Sequence, residues 1–411
     1  MIKKRKIHYG WIILIISVIV VTAALGLARF GYTMILPDMK RGLSLTETQA
    51  GDLATGNMIG YMALALTCGI IASRFGPKIV IVIFMLIICA SMFLTAFASN
   101  YFVALAGRIL TGMGSAGANV SIMGVIAAWF VTKKRGMASG IAVSGSSFGL
   151  LITGIIIPII LRYFKSDGWR YSWIILAIIT FIICILCAIF LKVNPKEKGL
   201  QPIGAKKEEQ NTDNKKVSSL KWNLIYKTPS IWYIGFVYIL FGFSYIIYAT
   251  FFSRYLTGEA DFTTEAAGTL WSLIGAFSIA SGLLWGRISD LIGRNYGLAI
   301  VYFLQFLSFI IFGLWKADIG FYLSAFFFAL TAWSIPAIMA ASCGDILGAR
   351  LAPAGVGFIT LFFGIGQAAG PFFAGRLASM TSSYTITFVI AGITALIGSF
   401  ASILIKSARK V

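Results

Sequence analysis

The stretch Ala24-Leu25-Gly26-Leu27-Ala28-Arg29-Phe30-Gly31-Tyr32 sets one arginine inside an apolar run that extends from Trp11 to Leu36. A helix needs about 20 predominantly apolar residues to cross a bilayer, and this run is long enough. An arginine near the centre of such a helix costs about 2.5 to 3.5 kcal/mol on translocon-type scales, so its presence marks a functional position and demands a partner. What offsets the charge of Arg29 is the question the rest of the chain has to answer.

The composition sets the class. The chain has 411 residues, 59% of them hydrophobic and 12% charged, and its mean hydropathy is +0.89. Those values lie outside the range of soluble globular domains and point to an all-α membrane protein crossing the bilayer many times. Lys and Arg outnumber Asp and Glu by 34 to 14, but the basic residues sit in short segments between apolar runs. That pattern sets membrane orientation and argues against a nucleic-acid partner. The cysteines Cys68, Cys89, Cys184, Cys187 and Cys343 are scattered through apolar segments without metal-like spacing and read as core residues. No cofactor and no metal site are expected. The first apolar run follows Lys3-Lys4-Arg5-Lys6, leads to no small-residue cleavage site, and reads as a retained first span.

Twelve spans follow, over residues 11–36, 49–72, 79–98, 101–130, 136–161 and 170–192, then 231–255, 265–285, 295–315, 320–344, 354–376 and 383–405. The one long polar stretch, which includes Lys206-Lys207-Glu208-Glu209-Gln210, separates the sixth span from the seventh and reads as a flexible hinge. The expected organisation is a six-helix bundle over 1–193, a linker over 194–229 and a second six-helix bundle over 230–411. The excess of Lys and Arg on one side places both termini and the linker in the cytoplasm of a protein of the cytoplasmic membrane. Only Arg29 and Arg108 then fall in the membrane interior.

The two halves repeat. Thr46, Gly51, Leu53, Gly69, Gly76, Gly140 and Gly149 recur at a constant offset of 217 as Thr263, Gly268, Leu270, Gly286, Gly293, Gly357 and Gly366. Six spans per repeat give copies of the same orientation, the parallel arrangement that encloses a central cavity. Within this register Gly286-Arg287-Ile288-Ser289-Asp290-Leu291-Ile292-Gly293-Arg294 resembles the signature loop of the major facilitator superfamily. Its first-half counterpart, Gly69 to Lys78, keeps Gly69, Arg74 and Gly76 but has Ser73 in place of the usual aspartate. The resemblance implies two six-helix bundles, transport without enzymatic chemistry, and a cytoplasmic gate built on Gly69, Arg74, Gly76, Gly286, Asp290, Gly293 and Arg294.

Arg108-Ile109-Leu110-Thr111-Gly112-Met113-Gly114 is similar to the superfamily's fourth-helix pattern. In that fold the first, fourth, seventh and tenth helices line the cavity, which puts Arg29 and Arg108 near the route. Two like charges in a medium of low dielectric repel, and each loses hydration. Of the 14 acids none is placed at mid-membrane depth. A bound anion is therefore the expected partner, and guanidinium suits a carboxylate because it can donate two parallel hydrogen bonds. Pairing of Arg29 with Asp52, or of Arg108 with backbone carbonyls, is the alternative.

Further polar or aromatic candidates on lining helices are Tyr32, Asn57, Tyr61, Asn119, Tyr245, Tyr248, Trp333, Ser334 and Gln367. The segment from Lys133 to Gly149 resembles the fifth helix of the monocarboxylate transporter and oxalate/formate antiporter branches, although the charged residues those branches carry in the eighth and eleventh helices are missing. The expected activity is movement of a small organic anion, a monocarboxylate above all, by proton symport or anion exchange, in a monomer. Proton-coupled efflux of drugs or lipophilic compounds is the alternative, because the spacing of Gly366, Gly370 and Pro371 in the eleventh span resembles the antiporter pattern of drug-efflux members.

Overall fold

The computed structural model describes residues 8–205 and 223–405. The N-terminal basic cluster and the charged centre of the linker, residues 206–222, lie outside the described residues. Among the described residues nine helices are long and apolar enough to cross a membrane, or eleven if each of two bent pairs is one span. One of the nine, Lys134–Phe190, is divided by a turn at Lys165–Asp167, and its parts Gly145–Phe164 and Gly168–Phe190 pack on one another. The count is consistent with twelve spans.

We label them in chain order: α1 (Tyr9–Gly42), α2 (Glu47–Phe75), α3 (Pro77–Ala96), α4 (Tyr101–Trp129), α5 (Thr132–Val143 and Gly145–Phe164), α6 (Gly168–Phe190), α7 (Pro229–Glu259), α8 (Thr264–Ser278 and Ser281–Ile292), α9 (Arg294–Leu314), α10 (Asp318–Gly348), α11 (Ala354–Thr381) and α12 (Thr385–Ile403). Helices prevail because a segment in hydrocarbon must satisfy every backbone N–H and C=O within itself. The middle of α1, Thr22–Phe30, is wound as a π-helix.

Positions that repeat in sequence share local geometry. Thr46 and Thr263 each cap a helix by accepting a backbone N–H, from Gln49 and from Ala266. Gly76 and Gly293 take φ of 86° and 101°, a left-handed conformation that a side chain would strain. The linker is more ordered at its start than its composition suggests. Asn194 and Glu197 form a capping box on the turn Pro195–Lys198. The Ile203 N–H then donates to the Trp129 carbonyl at 2.8 Å, so this part of the linker is held on the first half.

The halves meet through α2 against α11 and α5 against α8. On the face that carries the α1–α2 and α7–α8 connections, here the distal face, they are sealed. A Cβ added at Gly51 would collide with the Pro371 carbonyl oxygen, and one at Gly268 would collide with that of Gly154. Close helix approach of this kind needs small residues. Around these crossings Glu47 takes hydrogen bonds from Arg254 at 2.7 Å and from the Tyr384 hydroxyl at 2.7 Å, with Lys40 at 3.2 Å. Asp52 pairs with Arg376 at 2.8 Å.

The opposite face, which carries the described ends of the chain, has no such seal among the described residues. A Cβ at Gly69, Gly76 or Gly286 would meet nothing within 4 Å. Arg294 pairs with Asp290 and, at 2.9 Å, with Asp345, all in the second half. Arg74 lies against the ring of its neighbour Phe75. The molecule is therefore closed distally, and the described residues expected to form a gate make no ion pair between the halves in this state.

Glu47→Gln removes the charge from the distal cluster, whose charge-assisted hydrogen bonds are worth about 1.5 to 3 kcal/mol each in partly buried sites. Labelling of a cysteine placed at Thr55 by an impermeant thiol reagent added on the distal side is expected to rise several-fold in the Glu47→Gln background. Unchanged labelling would show that the cluster does not hold the seam.

Candidate functional site

Arg29 lies in the last turn of the π-helical part of α1 and is 8% exposed. Its Nη2 donates to the hydroxyl of Tyr245, on α7 of the other half, at 3.1 Å. Gln367, on α11, donates through Nε2 to the same hydroxyl. The guanidinium carbon stands 5.4 Å from the centre of the Phe30 ring and 6.0 Å from that of Tyr61. Asn119 donates to the Tyr61 hydroxyl at 2.9 Å, while its Oδ1 and the Nε of Arg29 have no hydrogen-bond partner. Five expected residues, Arg29, Tyr61, Asn119, Tyr245 and Gln367, thus gather from α1, α2, α4, α7 and α11 at the junction of the halves.

No carboxylate reaches Arg29 among the described residues. Asp52, the internal candidate, is occupied by Arg376 and by the Tyr101 hydroxyl. A buried guanidinium whose one polar partner is neutral keeps its full charge with little to offset the lost hydration. Such a group attracts an anion, and aromatic faces beside it add a smaller cation–π contribution.

The remaining candidates lie elsewhere. Arg108, 1% exposed, donates through Nη1 to the Ala28 carbonyl at 2.8 Å, and its guanidinium faces Tyr32 and Trp173 inside the first half. Asn57 donates to the Arg108 carbonyl at 3.1 Å, and Tyr32 donates to the Ala50 carbonyl at 2.8 Å. Tyr248 sits among Phe252, Phe309, Phe312 and Phe328 in the interior of the second half, with its hydroxyl 3.0 Å from that of Ser324. Trp333 crosses between the halves, donating to the Ser147 hydroxyl at 2.7 Å and meeting the Phe30 ring edge to face. Ser334 donates to the Ser281 carbonyl.

Sequence reasoning missed Ser147, Ser278, Trp173 and Ser115. Ser147 and Ser278 share a hydrogen bond of 2.9 Å between α5 and α8. Only Ser115 carried a readable signal, its spacing of seven from Arg108, which puts both on one helix face. The apolar hollow of about 350 Å³ beside Ile155, Pro158 and Leu273 lies between α5 and α8 and does not include Arg29.

The sequence profile of the Major Facilitator Superfamily matches residues 18–355. The chain belongs to that superfamily. It is a multi-pass membrane transporter and not an enzyme. Among curated proteins it is 27% identical over 400 residues to the probable sulfoacetate transporter SauU of Cupriavidus necator, covering 92% of this chain and 90% of that one. It is 24% identical over 396 residues to the hexuronate transporter of Bacillus subtilis, with the same coverage of 92% and 90%. Human monocarboxylate transporter 10 is 28% identical over 290 residues, or 67% of this chain and 53% of that protein. Among solved structures, a bacterial homologue of the human lysosomal transporter Spinster, inward-facing and unoccupied, superposes with a TM-score of 0.78 at 15% identity and covers 97% of both chains. The nucleoside transporter NupG gives 0.69 at 14% identity, covering 95% of this chain and 99% of that one. At such identities the structures speak for the fold.

Tyr245→Phe leaves Arg29 and Gln367 without their shared acceptor, and a buried polar group deprived of its partner costs about 1 to 3 kcal/mol. Tyr245→Phe and Gln367→Leu are each expected to lower the thermal midpoint in detergent, with the double variant losing less than the two losses added. Strict additivity would show that the two side chains do not form one network.

Proposed function

We propose that this superfamily member carries a small organic anion, of monocarboxylate type, across the cytoplasmic membrane by alternating access, with Arg29 as the counter-ion of the solute. The observation that carries this reading is a buried arginine at the junction of the halves whose polar partner is the neutral Tyr245 hydroxyl. Relatives named for sulfoacetate, hexuronate and monocarboxylates support it, since each of those solutes is an anion. Tyr61, Asn119 and Gln367 surround the cation with neutral donors and acceptors, and Phe30 and Trp333 supply apolar faces. This suits one charged end and a short polar or apolar body.

The two bundles, 1–193 and 230–411, are the moving units, and the linker 194–229 joins them. With both termini and the linker on the cytoplasmic side, the distal seam faces outward and the present state opens inward. Gly69, Arg74, Gly76, Gly286, Asp290, Gly293 and Arg294 then form the inner gate when the molecule turns outward. The protein acts as a monomer. The one histidine, His8, caps the N-terminus of α1 and lies far from Arg29 in sequence, so coupling runs either through proton symport involving the solute carboxylate and the tyrosines or through exchange of one anion for another.

Uptake of labelled lactate, glucuronate and sulfoacetate into proteoliposomes tests the reading. At least one is expected to enter in the wild type, and Arg29→Gln, correctly inserted, is expected to reduce its entry at least about a hundredfold, the scale of losing a charge-assisted bidentate contact. An imposed inward proton gradient raises the rate for symport, whereas internal unlabelled anion raises it for exchange. Unimpaired transport by Arg29→Gln would overturn the assignment.

A further inference from the structure

The two intramembrane arginines do different things. Nη1 of Arg108 donates to the carbonyl of Ala28, the residue before Arg29, at 2.8 Å. Seven residues along α4, the Ser115 hydroxyl donates to the Ala24 carbonyl at 2.6 Å. Seven residues are close to two helical turns, so one face of α4 supplies both donors. Both acceptors belong to the π-helix Thr22–Phe30, nine residues long, in which the Gly31 N–H still reaches back to the Gly26 carbonyl. π geometry is rare, occurs mostly as single-turn insertions, and is frequent at functional sites. A run of nine residues needs support from outside the helix.

Support comes from three sides. Arg108 and Ser115 hold the carbonyls from α4. The α5 backbone blocks the other side, since a Cβ at Gly26 would collide with the Gly149 Cα. Asn57 of α2 donates to the carbonyl of Arg108 at 3.1 Å and fixes that part of α4. Tyr32 and Trp173, whose rings face the guanidinium at 4.6 and 5.3 Å, fill the space around it. Each residue of an α-helix turns by about 100°, so a change of winding by one residue would swing Arg29 away from Tyr245.

We infer that Arg108 is a positioning residue. With Ser115 it holds the π winding that aims Arg29 at the junction of the halves, and it adds no second positive charge to the solute site. This rests on the reading of Arg29 as the solute's counter-ion. It leaves Arg29 as the one arginine of the solute site.

The test separates hydrogen bonding from charge. Arg108→Gln retains an N–H donor without charge, and Arg108→Met retains apolar bulk without a donor. In proteoliposomes of the full-length protein, with whichever of the three labelled anions the wild type carries, Arg108→Gln is expected to keep KM within about threefold of wild type, while Arg108→Met loses more than about tenfold in rate. Loss of anion uptake in Arg108→Gln equal to that in Arg29→Gln would make Arg108 a solute ligand and overturn the inference.

A second arm needs no solute. Arg29→Cys is labelled with an impermeant thiosulfonate in backgrounds carrying Arg, Gln or Met at 108; the five native cysteines are buried. Labelling is expected to be alike with Arg and Gln and to change several-fold with Met. Equal labelling in all three overturns the positioning role, and this holds even if none of the three anions is carried. If Arg108→Met fails to insert, Ser115→Ala takes its place in the labelling arm. There a changed rate supports the brace, and an unchanged one overturns it.

Discussion

The contact on which the site depends is that between the guanidinium of Arg29 and the hydroxyl of Tyr245, which reaches across the junction of the two halves. It joins a positive charge to a neutral group at a buried position. The hydrogen bond satisfies geometry, but the charge remains in search of an opposite one, and in such surroundings Coulomb attraction is far stronger than in water. On the proposed reading, a solute anion entering from the open face meets a cation that Tyr245 of the second half already holds, so that occupancy of the site and the relation between the bundles are tied to one set of atoms.

The rest of the molecule is arranged around that point. Distally, glycine crossings bring α2 onto α11 and α5 onto α8, and Glu47 and Asp52 take cations from the second half. Near the middle Thr33 donates to the Ala249 carbonyl at 2.6 Å and Thr55 to that of Ala368 at 3.1 Å, extending the closure inward from the distal face. Further from the distal face Ser147 still meets Ser278 and Trp333 across the junction, and on the opposite face the cluster of Arg294 with Asp290 and Asp345 is satisfied within its own half. An interface with charges paired across one end and within one half at the other has the makings of two alternative closures. Rocking between two such closures around a fixed central site is how parallel six-helix repeats alternate access.

Much of this was legible in the chain. Apolar periodicity gave the helices, the constant offset of glycines gave equivalent turns at Gly76 and Gly293, and the lone charge in the first run singled out Arg29. The orientation of side chains was less accessible. Arg108 has the same residue type as Arg29, yet it donates to the Ala28 carbonyl, within a π-wound stretch of α1 that a 3.6-residue period does not foretell. Tyr248 follows Tyr245 by three residues on α7 but falls into an aromatic cluster of the second half, where its ring is surrounded by phenylalanines. Asp52, an alternative partner for Arg29 by sequence, pairs instead with Arg376, and Glu47 with Arg254, because cations more than 200 residues away in the chain come to face them. Ile203 shows the same limit in the linker, where a polar, hinge-like composition conceals one apolar residue pinned to the end of α4.

The requirement for charge at Arg29 is tested most directly by comparing a carboxylate with its uncharged isostere on the purified wild-type protein. Lactate and lactamide differ little in size, so a thermal-shift titration isolates the contribution of the anion, because a ligand that binds the folded state raises its apparent stability. Glucuronate against glucuronamide provides the same comparison on a larger body. The midpoint is expected to rise with at least one of the acids and to stay unchanged with its amide. An equal rise with acid and amide, or a rise with the amides alone, would contradict a site organised around an unpaired guanidinium.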